Sequence, residues 1–249
     1  MSDTTQVTLA DIAAIAKTAE TRIDLTTRLI ELLDLPTILE LGVWHGEFAK
    51  DILERNPSIK TYYMLDPWRT LDNWNKPFNI SAPEFEEAYE TSLKNTNFAA
   101  QKRVILRGTT LEMIDQINDE SLDLIYIDGD HTLRGICIDL ISVWPKLKPG
   151  GIIVGDDFSP TIWQHSSEYE PTFVYPFAQY FAEAQNAPMV AAHRAQFIMI
   201  KPNGQNHGHR FLDVTGMYHT PNVLDQIEKK PTTVKPSKIS ALLTKFGLR

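Results

Sequence analysis

Residues 38–49 read ILELGVWHGEFA. An apolar run ends at Gly42, and a helical pattern begins after Gly46, so the stretch reads as strand, tight turn and helix. Glycine at 42 permits dihedrals closed to other residues and lets a ligand approach the backbone. Gly46 lets the next helix begin tightly against the strand. Trp44 stands where the dinucleotide-binding GxGxxG pattern has its second glycine. A pyrophosphate needs that backbone bare, so NAD or FAD binding is disfavoured. Two spaced glycines alone also suit a plain strand–helix turn.

Outward from this turn the chain alternates. Residues 9–33 carry apolar side chains at helical spacing and predict one amphipathic helix, stopped by Pro36. Strands are predicted at 37–41, 60–65, 103–106, 122–127 and 151–154. Helices are predicted at 47–55, 84–94, 110–117, 133–144 and 176–185, with 148–151 as a turn. Residues 189–192 and 195–200 read as two short strands too closely linked for a helical crossover, so one runs antiparallel. The expectation is a doubly wound α/β fold with a mostly parallel sheet and one antiparallel strand near the C-terminus. Three parts follow: a helical segment 1–35, a domain 36–202 with loop insertions near 67–83 and 158–170, and an extension 203–249. The stretch 229–249 holds six basic residues and no acid, and Ser237–Phe246 has helical apolar spacing that suits docking on the domain or a second subunit, the alternative being a weak anchor on an anionic membrane surface.

Composition narrows the function classes. The chain has 249 residues, 43% apolar and 22% charged, which is ordinary for a globular protein. A net charge of −8 argues against a broad nucleic-acid footprint. One cysteine, Cys137, excludes an internal disulfide framework and any CxxC motif. Apolar runs are too short to span a bilayer, and MSDTTQVTLADI lacks the features of a signal peptide, so a cytoplasmic protein without stable membrane association is expected.

In open parallel sheets ligands bind at the carboxyl ends of the strands. Here those ends carry Glu40 and Gly42, Asp66, Gly108 and Thr109, then Asp128, Asp130 and His131, then Asp156 and Asp157. Such an acidic rim suits a cationic ligand, a sugar hydroxyl pair or a hard metal ion. Asp66 lies 24 residues beyond Gly42 at a strand end, where an acid can accept both ribose hydroxyls, although an Asp before Pro67 also forms turns.

Taken in order, ILELGVWHGEFA, YYMLDPW and LDLIYIDGDHTLRGICIDLISVWPKLKPGGIIVGDDF resemble the class I S-adenosylmethionine-dependent methyltransferases. The last segment is similar to the small-molecule O-methyltransferase branch that includes macrolide-sugar enzymes and cephalosporin-hydroxylase-like proteins. The likeness spans about residues 36–160 and, loosely, 189–201. It implies a seven-stranded Rossmann-like methyltransferase sheet and S-adenosylmethionine as cofactor. It places Glu40, Gly42 and Gly46 at the methionine end, Asp66 on the ribose and Gly108 and Thr109 near the adenine, with Asp128 also bordering the cofactor. Trp44 departs from the glycine many members carry. The resemblance also implies a divalent cation, Mg2+ or another hard ion, on Asp128, Asp156 and Asp157. Oxygen donors alone favour such an ion over zinc.

His131 has a pKa near neutrality and could take the acceptor hydroxyl's proton beside Asp128. His45 is a weaker candidate; His165, His193, His207, His209 and His219 default to surface or packing. Arg134 could contact an anionic acceptor, or be solvated helix charge. Aromatics in the two loops, among them Trp68, Trp74, Phe78, Trp163 and Tyr169, could form a lid over the crevice. The expected activity is metal-assisted O-methylation of a small hydroxylated acceptor by a chain that can form homo-oligomers. A non-catalytic cofactor-binding module and a cephalosporin-hydroxylase-like oxygenase are the alternatives.

Overall fold

The computed structural model describes residues 7–204 and 208–218. Helices α1 (Leu9–Thr18) and α2 (Arg22–Leu33) precede β1 (Thr37–Leu41). Then come α3 (Glu47–Arg55), β2 (Thr61–Asp66), α4 (Ala82–Asn95), β3 (Arg103–Arg107), α5 (Thr110–Met113), β4 (Leu122–Ile127), α6 (Leu133–Val143) and β5 (Leu147–Gly155). The chain continues through α7 (Val174–Ala184), β6 (Met189–Ala192), β7 (Gln196–Ile200) and β8 (Phe211–Asp213).

The sheet has eight strands in the order β3-β2-β1-β4-β5-β7-β6-β8. This corrects the expected seven: β8 pairs parallel to β6 and carries the sheet past residue 202 into the presumed extension. Among the described residues the one antiparallel strand is β7, which runs against both β5 and β6, as expected for a pair joined by so short a link. Arg194 and Ala195 make that link at positive φ. The turn predicted at 148–151 lies inside β5, with a register shift against β4.

Side-chain alternation along the strands divides the core into two layers. Ile38, Tyr62, Met64, Leu124 and Tyr126 face α1, α2 and α3, whereas Leu39, Leu65, Ile125 and Ile127 face α6 and α7. The helix predicted over 9–33 is two helices. Asp24 breaks it, its carboxylate accepting from the Glu20 N–H at 3.0 Å while its own N–H donates to the Thr21 hydroxyl. That N-cap competes with helix continuation and turns the chain at 19–21. Arg194 Nε donates to the Glu20 carbonyl at 2.5 Å, fixing this corner near the β6–β7 link. Among the described residues no helix is long and apolar enough to cross a membrane. The basic stretch 229–249, with its predicted helix, and His207 and His219 lie outside the described residues.

Candidate active site at the carboxyl ends of the strands

Gly42 has φ +82°, and a Cβ built there would meet the Asp128 carbonyl oxygen at 2.0 Å. Only glycine fits, because the turn after β1 runs against the end of β4. Gly46, at φ +71°, caps α3 and would place a Cβ 3.1 Å from Ser92 of α4. Trp44 itself takes a left-handed conformation, φ +53°, which is rare for a bulky residue. Its ring packs edge-on against Phe78 and Phe85, at 5.8 and 5.9 Å.

Asp66 braces this turn. Its Oδ2 accepts from the N–H groups of Val43 and Trp44, at 2.9 and 3.0 Å, and its Oδ1 accepts from the Trp68 N–H at 2.7 Å. Burial raises its pKa, and those three N–H groups pull the other way. Both oxygens are therefore engaged by backbone within the protein. Glu40 lies below the crevice, 1% exposed, with the Tyr62 hydroxyl donating to Oε2 at 2.7 Å, and burial holds its carboxyl well above the usual range. Thr109 opens α5 through a capping box with Glu112, which Arg69 pairs at 2.7 Å, and Gly108 lies beneath Met113.

The acids after β4 and β5 lie together but divide among different partners. Asp156 turns to Arg22 and Gln196: Oδ2 accepts from Arg22 Nη1 at 2.7 Å and Oδ1 from Gln196 Nε2 at 2.5 Å. The same Arg22 Nη1 donates to Asp128 Oδ2 at 2.7 Å. Burial, then the neighbouring Asp128 and Asp157, push Asp156 up to about 6. Asp157, at φ +56°, pairs with His131 Nδ1 at 2.7 Å, while His131 Nε2 lies 3.5 Å from Asp128 Oδ1. Burial would lower the His131 pKa, but Asp128 and Asp157 outweigh it and carry it to about 10. The two carboxylates thus favour the protonated imidazole in this arrangement.

A divalent cation can be tested against these donors. Ligand atoms of Asp128, His131 and Asp157 lie within 4.8 Å of one another, and the buried Nε2 of His131 has no hydrogen-bond partner. That set fits a cation, with a nitrogen in the place expected for Asp156.

The loops assemble above the rim. Trp74 Nε1 donates to Asp130 Oδ1 at 2.9 Å. The buried Lys76 ammonium donates to the carbonyls of Glu170 and Pro171, at 2.8 and 3.3 Å, tying the loop after β2 to the loop after β5. Arg134 donates to the Asn73 carbonyl at 2.8 Å, so it braces this roof. Trp68 and Phe158 are fully buried and act in packing. The sequence reading missed Arg22, Lys76 and Gln196. Only Gln196, at a strand start, lay near a motif.

Residues 39–158 match a family model described as "Methyltransferase domain". That range, a little under half of the chain, contains every glycine and acid assigned above. The uncharacterized protein y4gI of Sinorhizobium fredii is 27% identical over 100 residues, which take in 37% of this chain. The match spans 11% of that protein's length. Two solved structures share the fold. A Staphylococcus aureus protein assigned as a caffeoyl-CoA O-methyltransferase is 18% identical, with TM-score 0.53 over 72% of this chain and 82% of its own. TomG, an O-methyltransferase of tomaymycin synthesis from Streptomyces achromogenes solved with SAM, is 13% identical, with TM-score 0.50 over 80% and 82%. The class I methyltransferase architecture read from the sequence is thus borne out.

Proposed function

We propose that this chain transfers a methyl group from S-adenosylmethionine to a hydroxyl oxygen of a small acceptor. The observation that carries the reading is the coincidence of the matched domain with a braced glycine turn facing an acid cluster. Gly42, Gly46 and the Asp66-braced backbone would hold the methionine and ribose end, and Gly108 and Thr109 would border the adenine. An acidic rim is complementary to the sulfonium charge of that donor. With both Asp66 oxygens on backbone N–H groups, the ribose would share those oxygens or meet the turn they order.

Asp128, His131 and Asp157 would hold a divalent cation, which when bound lowers the pKa of an acceptor hydroxyl. His131 must surrender its proton to serve as a ligand, so cation binding is coupled to proton release. Asp156, held by Gln196 and Arg22, would orient the cluster from beside it. The roof of Trp74, Lys76 and residues 168–172, pinned through Trp74 to Asp130, would keep water out and limit the acceptor to a small molecule. Positioning and charge carry most of the catalysis in such a site.

The test is release of S-adenosylhomocysteine with a panel of sugars and catechols, with Mg2+ and with EDTA. Acceptor-dependent release that EDTA abolishes is the expected result. Release that EDTA leaves unchanged removes the cation from the mechanism. Tight S-adenosylhomocysteine binding with no transfer to any acceptor favours the non-catalytic module.

A further inference from the structure

Arg22 lies 17 residues before the matched domain begins, in a segment the sequence assigns to a separate helical part. The structure nevertheless plants it in the crevice. The corner at 19–21 is held by the Thr21 N-cap and by Arg194 on the Glu20 carbonyl, so the first turn of α2 projects over the ends of β4 and β5. There Nη1 alone makes both protein contacts, to Asp128 and Asp156. The guanidinium stands 5.5 Å over the Phe48 ring, in the first turn of the helix that follows the Gly42–Gly46 turn. Nε and Nη2, the two nitrogens of the planar fork that matches a carboxylate, have no hydrogen-bond partner among the described residues, and the side chain is 40% exposed.

Among the described residues, the other cations around the rim are committed. Arg69 is on Glu112, Arg107 on Glu86, Arg134 on the Asn73 carbonyl, Arg194 on the Glu20 carbonyl and Lys76 on the 170–171 carbonyls. The methyl donor is cationic at its sulfonium and ammonium groups and anionic at its α-carboxylate alone. An acidic rim attracts the first two groups and repels the third, so the carboxylate needs a local cation.

We propose that Arg22 binds the α-carboxylate of the methionine moiety through Nε and Nη2, while Asp128 and Asp156 fix the guanidinium through Nη1. This rests on the cosubstrate reading above. The N-terminal helix pair is then part of the cofactor site, and the protein selects for a donor that retains its amino-acid carboxylate.

The experiment compares S-adenosylhomocysteine with its decarboxylated analogue, 5′-deoxy-5′-(3-aminopropylthio)adenosine, by calorimetry on the full chain. Wild type should bind the decarboxylated analogue about tenfold or more weakly, the loss of a charged bidentate pair. Arg22→Met should bind the two ligands alike, and Arg22→Lys, a point charge without the fork, should show an intermediate ratio. Equal binding of both ligands by wild type overturns the proposal, as does a wild-type ratio retained in Arg22→Met. Should Arg22→Met melt too low to measure, an unchanged ratio in Arg22→Lys overturns it equally. Absence of any S-adenosylhomocysteine binding to wild type instead overturns the cosubstrate reading itself.

Discussion

The two halves of the crevice are built on different principles. On the β1–β2 side, order comes from backbone: Gly42 against the Asp128 carbonyl, and the Asp66 carboxylate on three N–H groups. On the β4–β5 side, order comes from charge: Asp128, Asp156 and Asp157 are balanced by Arg22 and His131. The Asp66 brace closes between Val43 and Trp68, although Gly42 itself meets Asp128 far along the chain. The charge network joins residues 106 and 134 positions apart. A backbone site is rigid and tolerates no extra atom. A charge network can exchange one cation for another.

The sharpest way to break this contrast is Gly42→Ala. The substitution forces a Cβ into the Asp128 carbonyl and strains a left-handed residue. It should cost about 3–5 kcal/mol, lowering the melting temperature by about 10 °C or more. Calorimetric melting checks this; a stable variant with unchanged ligand affinity would show that the turn is not closed.

Asp66→Ala comes next. It strands three N–H groups and should cost about 3 kcal/mol, while weakening S-adenosylhomocysteine binding about tenfold or more. Asp66→Asn, keeping one oxygen, should lose less. If Asp66→Ala melts as wild type does but loses affinity, the carboxylate acts on ribose directly rather than through the turn.

On the charged side the expected asymmetry lies between adjacent acids. Asp157→Asn should weaken Mn2+ binding roughly tenfold or more, as loss of a donor beside His131. Asp156→Asn should weaken it less, because that carboxylate is spent on Arg22 and Gln196. Electron paramagnetic resonance of bound Mn2+ reads both variants, and the reverse order would restore the three-carboxylate set.

Legibility in the sequence follows the same division. Strand, turn and helix periodicity gave the alternating fold and located the Gly42–Gly46 turn, and Asp66 could be placed because its partners Val43, Trp44 and Trp68 belong to the same strand–turn–helix–strand unit. The sheet's eighth strand was missed because Phe211–Asp213 is three residues long and follows a polar stretch. Arg22 was missed for another reason. An arginine on the polar face of an amphipathic helix looks solvated, and nothing local marks that a corner at 19–21 aims it inward. The resemblance puts Asp156 and Asp157 on one cation, yet with Asp157 at a left-handed φ the two side chains meet different partners.

The seam between the halves offers the smallest and most specific test. Asp139 of α6 is 5% exposed, accepts from the Thr110 hydroxyl at 2.5 Å, and reaches toward Gly129 between the two acids of the β4 loop. Burial, opposed by Thr110, raises its pKa from 3.8 to about 7. The folded state therefore binds this proton more tightly than the unfolded chain does. The associated stability is fully present below about pH 4 and is lost as pH rises to about 7. Asp139→Asn keeps an acceptor for Thr110 but removes the titration. Between pH 6 and pH 7 wild type should lose on the order of 1 kcal/mol more stability than this variant, measured by urea unfolding at each pH. Parallel pH profiles for the two proteins would show that Asp139 titrates normally, and that the backbone and charge halves are not joined through a buried acid.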